Sequence, residues 1–312
     1  MSKQDRSNEI DRRDLFALAG RSAVAGVLAT AIGGCSQRDD APASSNPSPT
    51  PTPIDSKLVR LMSVPTSVEG NVLPALIEEF EHDTGFKVQL TADPMLYDQA
   101  RAGKADLLIS HYGHRDAESF VLDGRGEWPR TIFSNQMALV GPPSDPAGIR
   151  GLDDAGEAFR RIATTRSKYL LNEIDGVRYL SNVLWNVAGR PDRTGWWIEP
   201  NASKDGAIKK ASELGAYALW GLTPFVRVDN YAKLNLEPLV LADPLLHRVM
   251  VSIIVKPVTG FAVNTAGATA LQTYLLEPKT QARIRTIHYP GKSDVTWVPA
   301  GRHNRSAMLP KG

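Results

Sequence analysis

Only one cysteine, Cys35, occurs in the 312 residues, so no intramolecular disulfide is available. It stands ahead of the region that reads as folded, which excludes cysteine chemistry inside the domain. An excess of charge of one sign is also lacking. Lys and Arg number 36 against 34 for Asp and Glu, for a formal net charge of +2, and this balance gives no global pull toward nucleic acid. The apolar run Ala23 to Gly34 is too short to span a bilayer as a permanent helix. No internal repeat is visible, nor a Gly-x-Ser-x-Gly nucleophile elbow, nor a phosphate loop. What is present is a length that allows two lobes or one large domain, with six Trp and eight Phe as core material.

Residues 1–35 read as an export signal. A polar stretch carries Arg12-Arg13 followed by Leu15-Phe16, and the apolar run ends Ala31-Ile32-Gly33-Gly34-Cys35-Ser36. That ending resembles a bacterial lipobox, in which the cysteine takes a lipid, and the arginine pair resembles a twin-arginine signal with Asp11 where Ser or Thr is usual. Residues 36–56 follow with Pro42, Pro47, Pro49, Pro51 and Pro53 among Ser, Thr and Asp. A segment of that composition buries no core and favours extended backbone, so it is expected to tether a folded domain to a membrane by the lipid on Cys35.

From Lys57 onward, strands and helices alternate. Lys57 to Met62 reads as a strand. In Asn71 to His82 the residues Val72, Leu76 and Phe80 recur at helical spacing, and Thr84-Gly85 stops that helix before the strand Phe86 to Leu90. Ala105 to Ser110 is a mostly apolar third strand, and Asn135 to Val140 is extended. Repeated β-α-β with apolar strands indicates α/β architecture with a parallel sheet covered on both sides. Gly141-Pro142-Pro143-Ser144-Asp145-Pro146 interrupts the pattern, which then resumes to a last helix beginning at Ala266.

Ser63-Val64-Pro65-Thr66-Ser67-Val68-Glu69-Gly70 joins the first strand to the first helix. Thr66 and Ser67 there either cap the helix or, with the free N–H groups of its start, hold an anion. His111-Tyr112-Gly113-His114 follows the third strand, at the carboxyl-end rim where ligands bind in parallel sheets. These histidines are either solvated or half of a metal site that lacks a third ligand nearby. Trp196-Trp197 and Trp220-Gly221 are divided between core, surface and cleft readings.

Residues 57 to about 287 resemble the substrate-binding components of bacterial tungstate and molybdate-like ABC transporters. The resemblance rests on Ser63-Val64-Pro65-Thr66-Ser67-Val68, Leu76 to Val88, Gly103 to Ile109, Val140 to Ile149, Ala158 to Ala163, Gly195-Trp196-Trp197 and Lys210 to Leu219, in order and spacing. It implies a two-lobed, type II periplasmic-binding-protein fold with hinge-linked lobes that close on a ligand. The implied division is 57–139 with 252–312 as one lobe and 140–251 as the other. Thr66 and Ser67 match the turn that donates to the oxyanion in the family.

The second half of the family site is replaced. Relatives carry a segment like Ser-Arg-Gly-Asp-Asp-Ser-Gly-Thr, which aligns here with Leu170 to Val177. Leu171 stands in place of the arginine, Val177 in place of the anion-binding threonine, and Asp175 in place of the serine. Arginine supplies charge-assisted hydrogen bonds of roughly 1.5–3 kcal/mol each, and leucine supplies none. Arg178 either swings into the cleft to compensate or lies on a solvated helix face. Glu173 and Asp175 either bind a cation or amine or form an exposed acidic loop.

These readings predict a lipid-anchored extracytoplasmic solute-binding protein serving an ABC permease, monomeric, without catalysis, cofactor, metal or nucleic acid. The expected ligand contacts are Thr66, Ser67, His111, Asp175, Arg178 and Trp220. The alternative is a binding-protein fold that has lost oxyanion binding and acts as an envelope sensor or interaction module.

Overall fold

A computed structural model describes residues 55–293 and 295–300. The export signal, Cys35, the tether up to residue 54 and the tail from 301 lie outside the described residues.

Strand β1 (Leu58–Ser63) enters the short helix α1 (Pro65–Glu69), followed by α2 (Val72–Thr84), β2 (Lys87–Ala92), α3 (Leu96–Arg101), β3 (Leu107–His111) and α4 (Arg115–Leu122). The long strand β4 (Arg130–Gly141) leads to α5 (Ala155–Thr164), β5 (Tyr169–Leu170), α6 (Asp175–Val187), β6 (Trp197–Ile198) and α7 (Lys204–Leu214). Then come β7 (Tyr217–Gly221), α8 (Leu222–Ala232), β8 (Glu237–Val240), a tight 3-10 turn (Pro244–Leu246), β9 (His247–Ile254), α9 (Thr265–Leu276), α10 (Pro278–Ile284) and β10 (Trp297–Pro299).

The elements follow local sequence signals. Val72, Leu73, Leu76, Ile77 and Phe80 make the buried face of α2, and Gly85 ends it at φ 71°, in the left-handed region open to glycine. Asp154 caps α5 by accepting a hydrogen bond from the Glu157 amide at 2.9 Å. Gly215 ends α7 in the same left-handed conformation as Gly85.

The strands pair in the order β2-β1-β3-β9-β4-β7-β5-β6, with β10 and β8 both attached to β4. β1 lies parallel to β2 and β3, while β9 is antiparallel to both β3 and β4. Two hydrophobic cores result. One contains Leu61, Leu76, Phe80, Leu107, Phe133, Ile253, Leu271 and Trp297; the other contains Leu139, Phe159, Tyr169, Leu184, Trp196, Ile208, Tyr217 and Leu219.

β4 belongs to both. Its residues 130–136 pair with β9, and from Met137 it pairs with β7 and β8. The chain thus crosses between cores within β4 and returns between β8 and β9. The return falls earlier than residue 252, because β9 is hydrogen-bonded to β3 and the first half of β4 along its whole length. Tyr289, after α10, packs back against the second core.

A buried ion pair ties the first core together. Arg60 donates to Asp106 through Nη2 at 2.6 Å and Nε at 3.1 Å, and Asp106 also accepts from the amides of Arg60 and Asn264. This links β1, the entry to β3 and the approach to α9.

Candidate functional site

A cleft of about 550 Å³ lies between the two cores. The first side supplies Pro65, Thr66 and Glu69 of α1, His111 at the end of β3, Asn135 of β4 and Arg248 of β9. The second supplies Ile174 and Val177 at the start of α6, Lys204, Asp205 and Gly206 at the start of α7, and Trp220, Gly221, Pro224 and Arg227 at the β7–α8 junction.

Strand register explains the first side. His111 stands opposite Met250, and Asn135 opposite Arg248. Opposed residues share a face of the sheet, as do residues two apart on one strand. His111, Asn135 and Arg248 are therefore presented together. On the second side, α6, α7 and α8 all begin at the cleft. Their first turns bring unbonded amides and the positive ends of three helix dipoles toward the same space.

The charges in the cleft are not all balanced. Arg227 is held by Asp205 at 2.8 Å on its own side and reaches Glu69 across the cleft at 3.6 Å. Lys204 is exposed and makes no ion pair among the described residues. Arg248 is half-buried and makes neither a hydrogen bond nor an ion pair with any described residue. Burial holds its guanidinium below the usual arginine range. With Glu69 and Asp205 as the carboxylates lining the cleft, the cations there are in excess.

Several buried polar atoms in the cleft residues also lack partners among the described residues: His111 Nε2, Trp220 Nε1, Arg227 Nε and Asn135 Oδ1. Leaving such groups unbonded costs about 1–3 kcal/mol each, and a ligand that bonds them recovers that cost. Trp220 is 6% exposed. The His111 imidazole is pushed down to about 3 by burial, with Arg248 and His114 adding to the effect, so it is neutral at ordinary pH.

Of the residues expected from sequence, Thr66, His111 and Trp220 meet in the cleft. Thr66 lies inside α1, not in an open turn, and its hydroxyl bonds to no described residue. Ser67 is fully buried. Its hydroxyl donates to the Val64 carbonyl at 2.9 Å and pairs with Ser63, so it neither caps a helix nor lines the cleft. Asp175 is the exposed first residue of α6, and Arg178 turns outward to Glu173 at 3.3 Å. Glu173 also accepts from the Asn201 amide, so it forms no paired acidic site with Asp175.

His114 faces away from any metal arrangement with His111. It accepts from the Asp116 amide at the start of α4 and packs on Tyr97. No cluster of three metal-ligating side chains occurs among the described residues. Trp196 belongs to the second core, and Trp197 stacks with Arg193, whose guanidinium sits 3.9 Å from its ring centre. Neither lines the cleft. Val177 does line it, and Leu171 is buried, so neither position offers a side-chain donor to the cleft.

Arg248, Arg227, Lys204 and Asn135 are the cleft residues that sequence reasoning did not single out. Arg248 precedes the hydrophobic run Val249 to Val255 by one residue, and nothing in the linear sequence marks it.

Comparison with known proteins agrees with this geometry. Residues 67–169 match a family described as bacterial extracellular solute-binding protein. The chain is 25% identical, over 88% of its length and 82% of the relative's, to a Haloferax volcanii protein provisionally described as an ABC transporter anion-binding protein. It is 26% identical to the tungstate-binding protein TupA of Peptoclostridium acidaminophilum, covering 72% of this chain and 79% of that one. The solved tungstate-binding protein TupA of Desulfovibrio alaskensis G20 superposes with a TM-score of 0.66 at 20% identity, over 78% of this chain and 99% of the other. The chain is similar to solute-binding proteins of the ABC-transporter type. It has the type II periplasmic-binding-protein fold.

Proposed function

We propose that this solute-binding protein captures a small oxyanion of the tungstate class in the cleft and presents it to an ABC permease. In this reading a lipid on Cys35 holds it at the envelope, with the proline-rich segment as tether. The observation that carries the ligand class is the set of unpaired donors facing one space. Trp220 Nε1 and His111 Nε2 are buried without partners, and Arg248 carries a charge with no counter-charge. A tetrahedral dianion accepts from all of these and, being fully deprotonated, asks for no acceptor in return. The TupA relatives named above bind tungstate by description, and the same ligand is the natural first candidate here.

The sensor or interaction-module reading draws on Leu171 and Val177, which remove two family donors. It leaves the remaining donors in the cleft without a use, so we rank it second.

Trp220 provides the test. Sodium tungstate should produce a saturable change in intrinsic fluorescence at micromolar concentrations. The change should be largely lost in Trp220→Phe. Absence of any response to tungstate, molybdate, sulfate or phosphate up to millimolar concentrations would remove the oxyanion from this reading.

A further inference from the structure

Strand β9 supplies the partly buried cation of the cleft, Arg248, which has no counter-charge among the described residues. The Arg248 guanidinium lies over the first turn of α6. A Cβ built on Gly176 would stand 3.5 Å from Arg248 Nη2 and 3.8 Å from its Cζ. This is an unfavourable place for an unpaired cation. The amides of Asp175 and Gly176 precede the first intrahelical bonds, and the positive end of a 13-residue helix points at the same spot. Cations belong at helix C-termini, not here. No carboxylate among the described residues pairs with Arg248. Asp175 makes no ion pair with Arg248, while Glu69 and Asp205 are engaged by Arg227. Two positive features facing each other are reconciled when an anion sits between them.

A second observation points to the same space independently. Trp220, nine-tenths buried, lines this cleft and its indole N–H has no partner among the described residues, and His111, on the strand beside β9, lines it with an Nε2 that is likewise unpartnered. The anion seat therefore has a charged donor, an indole N–H, an imidazole nitrogen that donates in its Nε2–H tautomer and a helix start, and only the charged donor comes from β9.

We propose that Arg248 is the charged ligand of the bound oxyanion, reaching the start of α6 from the facing strand. The inference rests on the oxyanion reading for the identity of the ligand. With the guanidinium delivered across the cleft, the segment before α6 is free to be apolar and to pack. It further gives Arg248 a part in closure, since one anion would then bond to β9 on one side and α6 on the other.

The experiment is calorimetric titration of the full chain with sodium tungstate, molybdate, sulfate and phosphate, for the wild type and for Arg248→Met, Arg248→Lys and Arg178→Ala. Arg248→Met should weaken tungstate binding at least 100-fold. Arg248→Lys should retain part of it, since a point charge replaces a planar fork. Arg178→Ala should stay within twofold of wild type, because Arg178 pairs with Glu173 away from the cleft. Binding by Arg248→Met within threefold of wild type would overturn the proposal. Melting of the same proteins without ligand separates this from failure of the oxyanion reading. If the wild type takes up none of the four anions, that reading falls. Arg248→Met melting at or above wild type would then still support an arginine kept for a ligand, because removing an uncompensated, partly buried charge relieves strain on the fold. A lower melting temperature with no anion bound would mark Arg248 as structural and end the proposal.

Discussion

At the scale of single residues, the cleft holds polar groups in states that the folded protein alone does not favour. His111 is the sharpest case. Its folded form stays neutral down to about 3, whereas an unfolded histidine takes a proton near 6.5. Between those values the unfolded chain binds more protons than the native one, so stability contributed by neutral His111 is present above pH 6.5 and falls as pH drops toward 3. His111→Gln should therefore lose less melting temperature than wild type between pH 6.5 and pH 4. Equal losses would show that His111 does not titrate with unfolding. Ser67 shows the opposite relation of sequence to role. Its hydroxyl, expected from sequence to meet an anion, is spent on Val64 and Ser63 at the start of α1.

At the scale of elements, the legible parts were those with local signals. The apolar spacing of Val72, Leu76 and Phe80 marked α2, and Gly85 marked its end. α8 was not legible, because Pro224 stands in its first turn and Val226 and Val228 read as strand-forming. Missing it hid Arg227. Arg248 was hidden for another reason. Its place in the cleft comes from the antiparallel register of β9 with β3 and β4, strands more than a hundred residues earlier in the chain. Registers of that range are fixed by tertiary packing and leave no local trace. The Arg60–Asp106 pair likewise joins elements far apart in sequence. Asp106→Ala leaves two amides without an acceptor and Arg60 without its counter-charge, though still bonded to the Gly103 and Ala262 carbonyls, and should cost about 3 kcal/mol in denaturant unfolding. A loss below about 1 kcal/mol would mean that water replaces the carboxylate there.

At the scale of the whole molecule, two cores share β4, and the cleft forms where that strand passes between them. Contacts cross the cleft besides any ligand. Arg227 of α8 reaches Glu69 of α1, and Gly70 allows the end of α1 to approach both Trp297 and Thr223, since a Cβ there would collide with the indole nitrogen and stand 3.0 Å from Thr223 Cγ2. The two sides are thus positioned to clasp a small anion between β9 and the helix starts of the opposite lobe. The most direct measurement is anomalous diffraction from crystals of this protein grown with sodium tungstate. A single strong peak is predicted in the cleft, within hydrogen-bonding reach of the Arg248 guanidinium, Trp220 Nε1 and the first turn of α6. An empty cleft, or a peak bonded only to surface groups outside it, would contradict the account.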